Sequence, residues 1–101
     1  PSYRITDLAK AIDKDCNQKV VGVRAGEKIH EEMISSSDSY TTYDLGDYYV
    51  ILPYNPIWNI EEFKNKFNAR KVVEGFSYNS KDNNDFLSVK QIKELVNNLN
   101  L

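Results

Sequence analysis

Arg24 and Glu27 are the two side chains of this sequence whose types and spacing carry the clearest chemistry. They lie in the run KVVGVRAGEKIHEEMI, Lys19 to Ile34, with Ala25 and Gly26 between them. A guanidinium is a planar fork of donors that matches phosphate oxygens, and a carboxylate accepts the hydrogen bonds of a pair of sugar hydroxyls. The apolar Val20, Val21 and Val23 predict a short strand over 19–23, and Ile29 with Met33 predicts a short helix over 27–34. On that reading the pair sits at a strand-to-helix turn, where the free N–H groups and positive end of a helix favour an anion. The chemistry expected of such a turn is a grip on a nucleoside diphosphate. Spacing alone favours a plainer account, a surface ion pair worth at most about 1 kcal/mol, because Arg-x-Gly-Glu strings are common.

The other polar candidates are weaker. His30-Glu31-Glu32 lacks the second histidine four residues on that a zinc-protease helix requires, since Ile34 stands there. One histidine and one cysteine are far from a metal-ligand set. Glu31 and Glu32, adjacent on a predicted helix, point in different directions and do not flank one bond. Cys16 sits among Asp, Asn and Lys, with no neighbouring histidine or arginine to activate it. Serines are frequent, but His30 is the sole histidine to act as their base. The tyrosines at 40, 43, 48 and 49 are expected to be cross-strand packing pairs rather than a sugar platform. Trp58, Phe63 and Phe67 are expected to form core or an anchor between subunits.

The chain of 101 residues suits one small α+β unit, with 41% apolar residues and a formal charge of −2. The basic residues are scattered, so no nucleic-acid surface is expected. A lone cysteine makes no internal disulfide. No apolar run reaches membrane-spanning length and no signal peptide opens the chain, which makes a cytoplasmic setting the expectation. Ile5, Leu8, Ala9 and Ile12 predict a helix with Thr6 as its cap. Tyr40–Leu45 and Tyr48–Leu52 predict a hairpin around Gly46-Asp47. Ile60, Phe63 and Phe67 mark a second helix, and Val72–Phe76 a last extended piece. The loop from Tyr78 to Asp85 is expected to be exposed. Ser88 with Gln91 predicts a capping box opening a helix that continues through Val89, Ile92, Val96 and Leu99.

The Arg24–Glu27 segment resembles the Arg-x-Gly-Glu-Lys-x-His-Glu stretch in the C-terminal part of bacterial UDP-N-acetylglucosamine 4,6-dehydratases and capsule-type UDP-sugar 4-epimerases, which are extended short-chain dehydrogenases/reductases. Pro1–Ala9, Asp47–Pro53 and Glu74–Ser80 are similar to further landmarks of that family, so the likeness spans nearly the whole chain. Ala25 departs from it, standing where the family usually has a proline, which would have fixed φ. The resemblance implies that Arg24 meets a diphosphate oxygen of UDP and Glu27 the ribose hydroxyls. It also implies a parent enzyme using NADP or NAD on a Rossmann fold, with a tyrosine and a lysine four residues later. None of the seven tyrosines here is followed at that distance by lysine; Tyr78 comes nearest, with Lys81 at the third position. Gly22, Gly26, Gly46 and Gly75 make no dinucleotide fingerprint.

The expectation is therefore a C-terminal substrate-binding segment spanning 1–101, of α+β class, with short helices, a strand and a β-hairpin. It holds no catalytic residue, cofactor or metal of its own, and it works with a Rossmann domain or parent-enzyme subunits on a UDP-sugar for surface polysaccharide synthesis. A non-enzymatic module that joins another protein through its aromatics, and a remnant of a broken gene, are the competing readings. The sequence does not choose between dehydratase and epimerase.

Overall fold

A computed structural model describes residues 1–99. It holds three helices and two small antiparallel sheets, an α+β chain, and divides into two compact units.

The first unit comprises Pro1–Glu31 and the stretch from Ser80 onward. Its helices α1 (Ile5–Ile12) and α3 (Val89–Asn98) pack on one another, with Ala11 and Ile92 buried. Ser88 opens α3 with the reciprocal capping box expected: its hydroxyl accepts the Gln91 N–H, and its own N–H donates to the Gln91 side chain. α1 is capped two residues before the expected Thr6. Arg4 is the N-cap without a side-chain bond, and Thr6 lies inside the first turn. The predicted stripe is only partly used: Leu8 and Ala9 are half-buried while Ile5 and Ile12 stay exposed. One neighbouring helix covers only part of a stripe that a globular core would cover entirely. Ser2 ties the chain start to the approach to α3, donating to the Asp85 carbonyl at 2.7 Å and accepting from the Leu87 N–H at 2.8 Å.

Two predicted elements between α1 and Glu32 do not form. Residues 19–23 pair with no strand among the described residues, and Val20 and Val21 are 95% and 85% exposed. A strand exists through its ladder, and Gly22 at φ +88° breaks the extended run that lacks one. Residues 27–34 are not helical either; their last three form strand β1 (Glu32–Ile34). Eight residues make a marginal helix without tertiary support. The predicted stripe of Ile29 and Met33 finds no cover and stays exposed, whereas β1 gains a ladder to β5.

The second unit runs from Glu32 to Asn79. β1 pairs with β5 (Tyr78–Asn79), so the loop expected from Tyr78 begins as a strand. β2 (Thr42–Asp44) is the centre of a three-stranded sheet between β3 (Tyr49–Ile51) and β4 (Arg70–Lys71). The β2–β3 hairpin has the predicted two-residue turn: the Leu45 N–H donates to the Tyr48 carbonyl at 2.8 Å, and Gly46 takes φ +93°. Glycine first in the turn, at positive φ, matches the twist of the paired strands. Helix α2 (Ile60–Phe67) is capped by Asn59, whose side chain accepts the Glu61 and Glu62 N–H groups, and ends on Asn68 at φ +49°. The core gathers Tyr43, Leu52 and Ala69, with Leu45, Val50, Ile60 and Phe63 packed against it. A 3-10 helix over Asp38–Thr41 buries Ser39 completely. Its hydroxyl donates to the Ser36 carbonyl at 2.6 Å and accepts the Gly75 N–H at 2.8 Å, pinning the turn after β4. That turn interrupts the extended piece predicted over Val72–Phe76, with the Phe76 N–H on the Val73 carbonyl and Gly75 at φ +84°.

Candidate functional site

Arg24, Ala25, Gly26 and Glu27 form a four-residue reverse turn closed by the Glu27 N–H on the Arg24 carbonyl at 3.1 Å. Gly26, third in the turn, has φ +86°, the sign that a type II turn demands at that place and that glycine adopts without strain. Nothing lies within 4 Å of the place a Cβ on Gly26 would occupy, so the glycine is there for the backbone angle and not for space. The family's usual proline belongs to the same geometry, since proline favours the second place of such a turn. This answers why Arg24 and Glu27 stay together although neither the strand before them nor the helix after them forms. The local turn, not a helix start, positions them, and the anion-favouring helix end expected at Glu27 is replaced by non-helical backbone.

The two side chains converge. Glu27 Oε2 accepts the backbone N–H of Arg24 at 2.9 Å, and Oε1 accepts Arg24 Nε–H at 2.8 Å. The Arg24 N–H, and secondarily its guanidinium, hold the Glu27 carboxyl below the usual carboxylate range. The pair is open to water, with side-chain exposures of 90% for Arg24 and 43% for Glu27. That is the geometry of the surface ion pair that spacing favours, and it leaves two capacities unused. The Nη groups of Arg24 make no hydrogen bond among the described residues and present four N–H donors in one plane. A carboxylate offers about four lone-pair sites, of which Arg24 takes one on each oxygen. Paired anionic oxygens and a vicinal diol match what remains.

The remaining candidates fall elsewhere. His30 is exposed at a bend of the chain, and Glu31 is held through its main chain, donating to Ser80 Oγ and accepting the Ser80 N–H. Glu32 accepts the Ser77 hydroxyl at 3.0 Å. Glu32 opens β1 and Glu31 lies just before it, so the helical geometry expected for the two does not form. Tyr43 is core, and Tyr49 lies against Phe76 and Tyr78 with ring centres 5.3 and 5.5 Å away. Burial, then the charge of Asp44, pushes the Tyr49 hydroxyl above its ordinary pKa. Tyr40 and Tyr48 are exposed, as is Trp58, which begins a ladder with Phe63 and Phe67 at 5.4 and 5.1 Å.

These residues do not fit a nicotinamide dinucleotide. Its pyrophosphate is held where a glycine-rich turn opens a helix, whereas the N-caps here are Arg4, Asn59 and Ser88. The four glycines, each at positive φ, lie in the loops at 22, 26, 46 and 75. What sequence reasoning missed at the site is the part of the main chain: the Arg24 N–H and the Gly26 angle. A Pro-Gly pair would have signalled the turn outright; Ala25-Gly26 signals it faintly.

The family described as Polysaccharide biosynthesis protein matches residues 1–53. A UDP-N-acetylglucosamine 4,6-dehydratase (inverting) of Campylobacter jejuni is 41% identical over 104 residues, covering 96% of this chain and 30% of that protein. A UDP-glucose 4-epimerase of Rickettsia canadensis is 34% identical over 99% of the chain and 30% of its own length. An uncharacterized membrane protein of Methanocaldococcus jannaschii is 32% identical over 95% of the chain and 28% of its own length. The chain thus spans 28–30% of the length of these relatives. No helix among the described residues is long and apolar enough to cross a membrane.

Proposed function

We propose a substrate-binding role for this chain, which belongs to the polysaccharide biosynthesis protein family and corresponds to the C-terminal region of its UDP-N-acetylglucosamine 4,6-dehydratases. In this reading it grips the UDP half of a UDP-sugar as one part of a cytoplasmic 4,6-dehydratase that supplies surface polysaccharide or flagellin glycan synthesis. Arg24 holds the pyrophosphate through its Nη groups, and Glu27 takes the ribose hydroxyls. The observation that carries the reading is their convergence on one exposed turn, each with unused bonding capacity on the water side. Redox steps belong to a nicotinamide, NADP or NAD, held by a Rossmann domain in the rest of such an enzyme. This chain's part is binding and orientation.

A 4-epimerase of the same family is the second reading, favoured by the Rickettsia relative. Both readings place UDP on the same two residues, so one experiment serves them. Calorimetric titration of the 101-residue chain with UDP shows binding, and Arg24→Ala weakens it by about tenfold or more, the lower end of what hydrogen bonds to charged groups contribute. A folded chain that stays silent at millimolar UDP overturns the nucleotide reading. The field is then left to a module that joins other proteins through its exposed aromatics.

A further inference from the structure

We infer that Glu27 is a positioning residue for Arg24, fixing which edge of the guanidinium meets an anion. The inference deepens the UDP-binding reading and rests on it. An arginine on an exposed turn samples many rotamers and presents its five donors in no fixed direction. Here the carboxylate of Glu27 takes the Nε–H at 2.8 Å and the Arg24 main-chain N–H at 2.9 Å, anchoring the same residue at both ends of its side chain. With Nε committed, the edge carrying both Nη amines is the one left outward. That edge can donate to two oxygens of a pyrophosphate at once, whereas an Nε-side approach would have to displace the carboxylate. The turn keeps the clasp closed because Gly26 at φ +86° and the Glu27 N–H on the Arg24 carbonyl set residues 24 and 27 face to face.

Glu27 also has a cost that makes the inference testable by sign. Its negative charge repels a phosphate. If it only neutralises Arg24, removing the charge tightens anion binding; if it aims Arg24, removing the charge loosens binding despite the electrostatic gain. Inorganic pyrophosphate, which has no diol, isolates this from any contact of Glu27 with ribose. Glutamine in its place keeps one acceptor and loses the other, since an amide nitrogen does not accept.

The experiment is titration of the 101-residue chain, its Glu27→Gln and its Glu27→Ala variants with pyrophosphate and with UDP. Alongside it, the Arg24 Nε–Hε resonance is followed by NMR. The expected result is several-fold weaker pyrophosphate binding in both variants, greater for alanine, with faster solvent exchange of Nε–Hε before any ligand is added. Wild-type binding of UDP with pyrophosphate binding equal or tighter in the variants overturns the positioning role and leaves the nucleotide reading intact. A wild-type chain that binds neither ligand overturns the nucleotide reading, and this role with it.

Discussion

Replacing Ala25 by proline tests the turn and its function together. Ala25 occupies the second place of the turn, where φ near −65° is required and proline supplies it. Its N–H makes no hydrogen bond among the described residues, and it is exposed, so the ring removes no bond and meets no crowded surface. A proline also disfavours helical backbone at the residue before it, and Arg24 lies outside any helix. A compatible substitution of this kind stabilises by about 0.4–1 kcal/mol, chiefly by narrowing the unfolded ensemble. The same restriction removes part of the ordering that UDP binding would otherwise impose on the turn, and at 1.4 kcal/mol per decade 0.4–1 kcal/mol bounds the gain in affinity at roughly twofold to fivefold. Denaturant unfolding of Ala25→Pro measures the first quantity and UDP calorimetry the second. Lower stability together with weaker UDP binding would refute the type II geometry and the claim that this turn, rather than its flanking elements, presents Arg24 and Glu27.

Three more outcomes are expected. Ser39→Ala removes the buried hydroxyl that accepts the Gly75 N–H and donates to the Ser36 carbonyl, which costs about 0.5–1.5 kcal/mol and, for a domain this size, lowers the melting temperature by at least about 2 °C; a shift under 1 °C on calorimetric melting counts against that contact. Asn59→Ala uncaps α2, which loses acceptors for the Glu61 and Glu62 N–H groups, for a loss of about 0.5–2 kcal/mol by denaturant titration. Glu27 and Asp38 both have carboxyls lowered from their ordinary values, Glu27 by the Arg24 N–H and guanidinium, Asp38 by the Ser35 hydroxyl and then its N–H. A depressed folded-state value stabilises above the unfolded one and the benefit is lost as pH falls through it. Stability is therefore expected to hold down to about pH 4 and decline below it, where unfolded carboxylates take up protons. Asp38→Asn should flatten that decline in melts taken from pH 7 to 2.

Local chemistry was legible in the letters wherever a few adjacent residues suffice. Ser88 with Gln91 wrote the cap of α3, Gly46 wrote the hairpin turn, and Ile60, Phe63 and Phe67 wrote α2, since each signal closes within about two turns of chain. The Arg24–Glu27 pairing belongs to the same class. Elements that depend on distant partners were decided by tertiary structure. KVVGV reads as a strand, yet it has no ladder partner among the described residues and stays exposed. EKIHEEMI reads as a helix, yet its end pairs with Tyr78–Asn79, more than forty residues on, because a ladder to a remote strand outweighs the weak propensity of two helical turns. Ser39 shows the same limit from the other side. Nothing in its neighbours marks it as fully buried, because the N–H it accepts comes from Gly75, thirty-six residues away.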